Sequence, residues 1–262
     1  MYQAALLMVG SGIMAADIAT KEDKWVFTLG GYHHAGRSRG EGFCIFNDVA
    51  VCAAYLHTHG IERIAIIDTD AHQGNGTMDI FYTNKNVLYI SMHQDPRTLY
   101  PGRGFIHEIG RNEGWGYTIN VPLPPYSNDE AVMRVLDEIV LPVVKEYVPQ
   151  VIIRNGGSDP HYTDSLTHLN MSFNGFYTMM GKIRKLIGDL NTAYIDMMAS
   201  GYGPLAVEGW VAHICGILDL PIPEELKVRE EQYTRPSIKA TPIEPTISAV
   251  RRELCKVWSC LR

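Results

Sequence analysis

The sequence predicts an α/β fold: a mostly parallel central sheet with helices covering both faces. Two observations carry this. Five short apolar runs, WVFTL (25–29), RIAIID (63–68), VLYISM (87–92), VIIR (151–154) and AYIDMM (193–198), read as strands buried on both sides. Helical patterns fall between them, so strand and helix alternate along the chain.

Taken in order, helical segments are expected at 2–19, 48–58, 128–147, 173–188 and 205–217. Ser127 and Glu130 make a capping box before the third of these. Pro142 lies inside it and predicts a kink or break. From Pro221 the chain is Pro- and charge-rich until a last helical stretch near 246–260, which reads as a surface wrap with a docked terminal helix. The whole of 1–262 is therefore expected to form one domain. With 262 residues, 46% of them hydrophobic, the chain can bury a full core without disulfides.

The formal net charge of −6 argues against a nucleic-acid binder that works through bulk positive charge. No window reaches ~18 uninterrupted apolar residues, so no membrane-spanning helix is expected. The N-terminal segment lacks a basic region and carries Gln3, Ser11 and Asp17, so it reads as a helix of the fold and not as a signal peptide. The five cysteines include no C-x-x-C pair. They read as small buried hydrophobes in a reducing, cytoplasmic setting.

Each strand runs into polar or Gly-rich sequence, and parallel α/β sheets bind ligands beyond the carboxyl ends of their strands. His33, His34, Asp70, His72, His93, Asp159 and Tyr202 should converge there. The stretch Asp68-Thr-Asp70-Ala-His72 is the sharpest signal. In extended chain, positions 68, 70 and 72 share a side, so Asp70 and His72 can hold one metal ion, with Asp68 one step deeper. Catalytic zinc takes about three protein ligands and a water, and Asp159, after Gly156-Gly157, is the natural third. A polar surface turn would leave the same pattern. His33 and His34 have the right chemistry to carry a proton near neutral pH. Tyr202, between two glycines, is either a packed aromatic or a phenol that donates to a developing oxyanion.

The motifs GGYHHAGRSRGEGFCIFND, IIDTDAHQGNGTMDIFY, ISMHQDPRTLYPGRG and RNGGSDP…LNMS, followed by SGYG, together resemble the histone deacetylase superfamily. Asn75 in the H-x-G-N-G motif is more similar to the class II and prokaryotic branch, with its acetoin-utilisation proteins and acetylpolyamine amidohydrolases. The resemblance implies the three-layer arginase/deacetylase-type fold, shortened at one sheet edge. It implies zinc-dependent removal of an acetyl group from an acylated amine such as acetyl-lysine. By it, Asp70, His72 and Asp159 are the ligands of a single zinc, His33 and His34 the catalytic histidine pair, and Tyr202 the catalytic tyrosine. Asp68 would orient His33 and, with Ser91, help bind a structural potassium. Asn75 would back His34, and Gly42, Phe43 and Tyr100 would line the substrate tunnel. Phe81, Asn84, Val87 and Tyr117 fall where a second alkali ion sits in the family, with Asn84 a departure.

Two further departures stand out. The family's N-terminal edge strands, acidic gating loop and exit-channel arginine have no counterpart in this sequence, so self-association or a partner is expected to cover the edge near 25–29. The glycines expected before the tyrosine read Ala199-Ser200-Gly201, which would narrow the floor of the site. Two other functions compete with the deacetylase reading: a non-catalytic, metal-holding interaction protein and an arginase-like two-metal ureohydrolase. The latter wants an acid where Gly74 stands.

Overall fold

The structure, a computed structural model, describes residues 1–22 and 25–262. Its sheet has six strands: β1 (Trp25–Leu29), β2 (Ile64–Asp68), β3 (Val87–Gln94), β4 (Thr118–Leu123), β5 (Val151–Gly156) and β6 (Ala193–Met198). Their order is β1-β6-β5-β2-β3-β4, and every pairing is parallel.

Side chains alternate between the faces with period 2. Ile64, Ile66, Tyr89, Ile153 and Met197 point to one core, formed with α1 (Tyr2–Lys21), α2 (Asp48–Thr58) and α3 (Asn75–Phe81). Ala65, Ile67, Leu88, Ile90 and Ile152 point to the other. That second core receives α4 (Asp129–Val135), α5 (Leu141–Tyr147), α6 (Phe173–Leu190), α7 (Ala206–Leu218) and α9 (Glu244–Leu254). The result is the three-layer α/β architecture expected.

The C-terminal tail carries α8 (Glu224–Glu231), which buries none of its residues, and then α9. Ile247, Val250, Leu254 and Trp258 dock into the second core.

The structure corrects several expectations. β4 was not expected as a strand, because Asn120 and Pro122 break its apolar run. It is an edge strand paired only with β3, where a proline costs no inner ladder bond. The cap of α4 is Asn128, whose side chain accepts from Ala131 N at 3.1 Å. Ser127 instead turns its hydroxyl to Pro124 O, so the expected capping box does not form. The segment 128–147 is interrupted as Pro142 predicts, by a π-helical turn over Leu136–Val140 before α5 resumes. That wider turn accommodates a ring that lacks an N–H and crowds the carbonyl four residues back.

Helix α1 has the length and, with a mean hydropathy of 1.4, the composition that a membrane-crossing helix would also have. Its isolated polar residues interrupt the apolar run without lowering the mean enough to prevent this. Here Gly12, Ala15, Ala16 and Ala19 pack inward, while Leu6, Leu7 and Met14 are exposed.

Candidate active site

The parallel register delivers the chemically active residues to one end of the sheet. Asp68 closes β2 and pairs in register with Ser91 of β3 and Asn155 of β5. Asp68 is fully buried, and its Oδ2 accepts from His33 Nδ1 at 2.8 Å and from the Tyr89 hydroxyl at 2.9 Å. Asn155 Nδ2 donates to the other oxygen at 3.1 Å. Burial alone would depress His33, but Asp68 and then Asp70 outweigh it and raise its pKa to about 9.

Past Asp68 the chain does not stay extended. An Asp70 side-chain oxygen accepts His72 N at 2.8 Å, so the two side chains meet through an Asx-type turn and not through the pleat of a strand. Asp159 arrives from the loop after β5, with Oδ2 2.9 Å from His72 Nδ1. Ligand atoms of Asp70, His72 and Asp159 all lie within 4.8 Å of one another. Burial, then the adjacent Asp70 carboxylate, push Asp159 above the ordinary carboxylate range, and the His72 imidazole only partly opposes them. Two oxygen donors and one imidazole suit a zinc-type divalent ion, so the residues present fit the expected metal. Gly74 leaves no room for a further acid: a Cβ there would sit 2.7 Å from both Asp68 Oδ2 and the Tyr89 hydroxyl.

His34 stacks edge-on against His33, with ring centroids 4.3 Å apart, and its Nδ1 lies 2.8 Å from Asn75 Oδ1. Burial and the neighbouring His33 hold His34 down to about 3, so it is neutral at pH 7. Gly42 and Phe43 form the centre of a tight turn closed by hydrogen bonds between Glu41 and Cys44. Both have positive φ, +54° and +65°, as a type I′ turn requires. This turn leaves Phe43 84% exposed at the mouth of the site.

A cavity of about 400 Å³ is lined by His34, Gly42, Phe43, His72, Leu99, Tyr100, Leu166 and Tyr202. An adjoining one of about 330 Å³ adds His33, Asp70 and Ser200. A larger cavity of about 550 Å³, lined in part by Arg37, Arg39, Phe46 and Ile80, contains none of the candidate residues. Tyr202 is held by its backbone N–H on Asp164 Oδ2 at 2.7 Å, with its ring centroid 6.3 Å from that of His72. Burial, then Asp70 and Asp159, push its phenol well above the usual range, so it remains a hydrogen-bond donor.

Ser91 is buried in β3 but gives its hydroxyl to His93, at 2.8 Å from Nδ1. The carbonyls of Phe81, Asn84 and Tyr117 each accept a backbone N–H. Sequence reading missed Asn155, Tyr89, Glu41 and Ser200. Ser200, expected only to narrow the floor, donates to Asp159 Oδ1 at 2.9 Å. Signals for these residues were faint, because each is an ordinary polar residue whose partner lies far away in sequence.

Fold and site together define a parallel α/β protein with a buried carboxylate–imidazole triad at its strand ends, opening on an aromatic-walled cavity. Residues 1–218 match the histone deacetylase domain, and the chain belongs to that family. All of it aligns with a probable deacetylase of Archaeoglobus fulgidus at 37% identity, spanning 75% of that protein. It is 36% identical to the acetoin utilization protein AcuC of Staphylococcus aureus over 85% of its own length, but spans only 58% of AcuC. The HD domain of HDA15 superposes with a TM-score of 0.81 at 29% identity, over 98% of this chain and 70% of that one.

Proposed function

We propose that the chain is a zinc-dependent amidohydrolase that removes an acyl group, acetyl first of all, from an acylated amine such as N-acetyl-lysine or an acetylpolyamine. The observation that carries this reading is the buried triad of Asp70, His72 and Asp159, with His34 and Tyr202 lining the cavity onto which Asp70 and His72 open. Asp70, His72 and Asp159 would hold one zinc-type ion, which supplies Lewis acidity that polarises an amide carbonyl and acidifies a water.

The protein's own groups do the rest. His34 takes a proton from the water at Nε2, the ring nitrogen not engaged by Asn75, and returns it to the departing amine. His33, kept protonated by Asp68, sets a positive charge beside the developing negative charge. The two rings touch, so their titrations belong to the pair. Tyr202 donates its hydroxyl to the carbonyl oxygen as that oxygen gains charge. Gly42, Phe43 and Tyr100 form walls for the acylated stem. Asp68 and Ser91 would add a structural potassium, and the working compartment would be the cytoplasm. The crowding at Gly74 disfavours a two-metal ureohydrolase.

The test is hydrolysis of a panel of acetylated peptides and acetylpolyamines by the purified chain, with and without chelator, beside elemental analysis. Chelator-sensitive turnover with about one zinc per chain is expected. A chain that holds its zinc and hydrolyses none of the panel would overturn the enzymatic reading.

A further inference from the structure

Glu41 lies outside the metal triad, yet two parts of the site, Asn75 and Tyr100, meet on its side chain beside Arg39. Oε1 accepts from Asn75 Nδ2 at 3.0 Å and from the Tyr100 hydroxyl at 3.1 Å. Oε2 accepts from Arg39 Nε at 2.7 Å. The turn that carries Glu41 does not need this side chain. It is closed by backbone alone, Glu41 N to Cys44 O at 3.0 Å and Cys44 N to Glu41 O at 2.8 Å.

We propose that Glu41 is a positioning residue that sets the tautomer of His34, a role that rests on the reading of His34 as the base. An ionised carboxylate has no hydrogen to give, so whatever faces it must donate. The end of the Asn75 amide that faces Glu41 is therefore the NH2. Its other end, the carbonyl oxygen, is turned onto His34 Nδ1 at 2.8 Å. A carbonyl oxygen can only accept, so Nδ1 carries the hydrogen of the neutral imidazole and Nε2 is left bare. A base needs that arrangement. With the amide reversed, its NH2 would face Nδ1, the hydrogen would move to Nε2, and the ring could not take a proton there.

The amide of an asparagine is close to symmetric in shape, so packing alone chooses its orientation weakly. The choice falls to charge and hydrogen bonding. Arg39 holds the Glu41 carboxyl below the usual carboxylate range, so the lock persists at neutral and mildly acidic pH. Because Tyr100 shares Oε1, the same carboxylate also ties the base to one wall of the cavity.

The test uses the zinc-loaded chain labelled with ¹⁵N-histidine, with the His34 signals assigned by their loss in His34→Gln. Ring-nitrogen shifts near pH 7.5 and steady-state kinetics are measured for wild type, Glu41→Gln and Glu41→Lys. Glu41→Gln keeps an acceptor at Oε1 for Asn75, whereas Glu41→Lys puts a donor in its place. The expected result is a hydrogen on Nδ1 in wild type and in Glu41→Gln. In Glu41→Lys the hydrogen appears on Nε2, and kcat falls at least about tenfold with zinc content unchanged. A wild-type His34 bearing its hydrogen on Nε2 would overturn the proposal. So would a Glu41→Lys protein that keeps the wild-type tautomer, whatever its kcat. A tautomer that switches as expected in a chain with no hydrolytic activity upholds the lock and refutes the deacetylase reading instead.

Discussion

Replacing Gly42 with alanine tests the geometry around His34 with the smallest possible side chain. A Cβ at this position would lie 2.6 Å from His34 Cγ and 2.8 Å from its Cβ, and closer still to Cδ2. Ordinary contact begins at 3.4 Å, so Cγ must retreat by about 0.8 Å, the difference between 3.4 and 2.6, and Cδ2 by more. Asn75 and His33 bound His34 on other sides, and the ring is 6% exposed, so it has little free space to enter. Displacing a reacting group by ~1 Å can cost on the order of 10²-fold in rate. The residue also sits at φ +54°, where alanine costs roughly 1–2 kcal/mol. For a chain of this size that corresponds to a fall in Tm of roughly 2–8 °C. Gly42→Ala should therefore remain folded at 25 °C, keep its zinc, and turn over an acetyl-lysine peptide ~10²-fold more slowly. The assay is kcat with Tm and zinc content measured on the same preparation. A kcat within about threefold of wild type, with Tm lowered as expected, would show that His34 is not the positioned base.

Four other outcomes are expected. Tyr202→Phe keeps the ring but loses the donor, so kcat should fall by ~10²–10³ with zinc content unchanged, and near-normal turnover would reject the oxyanion role. Elemental analysis should give about one zinc per wild-type chain and none in Asp159→Ala, while two tightly held transition ions in active protein would contradict the single-ion site. Glu146 accepts N–H groups from Ser259 at 2.9 Å and Cys260 at 2.8 Å; burial opposes its ionisation, but these donors prevail and hold its pKa at about 2, below the ordinary 4.5. A depressed folded value contributes stability that is present above the unfolded pKa and lost as pH falls through the folded one. Docking of the C-terminal turn, followed by Trp258 fluorescence, should therefore weaken between about pH 4.5 and 2, and the same acid profile in Glu146→Gln would refute this. Finally, among the described residues β1 leaves one edge unpaired and exposes Trp25, Phe27 and Leu29, so sedimentation should show self-association that Phe27→Lys reduces; a monomer at all concentrations argues against pairing at this edge.

Much of this protein is legible in its sequence because burial on both faces of a parallel sheet forces unbroken apolar runs. Five of the six strands appear as such runs, and the sixth escapes because Pro122 and Asn120 are tolerated only at an edge. Asp70, His72, Asp159, His33, His34 and Tyr202 could be singled out for a related reason: parallel strands all end on the same side, so polar residues just past them converge. The local route was less readable. Asp70 and His72 meet through a turn, and Asn128, not Ser127, caps α4, because competing side-chain hydrogen bonds of similar strength are settled by the surrounding packing.

The supporting polar network was decided by tertiary structure alone. Asn155 reaches Asp68 across 87 positions of sequence, Ser200 reaches Asp159 across 41, and Glu41 reaches Asn75 across 34. None of these pairs has a periodicity or a spacing to betray it. Local sequence sets which residues favour strand, helix or turn, but the alignment of Asp68 beside Asn155 and Ser91 is set by strand register, which depends on how both cores pack at once.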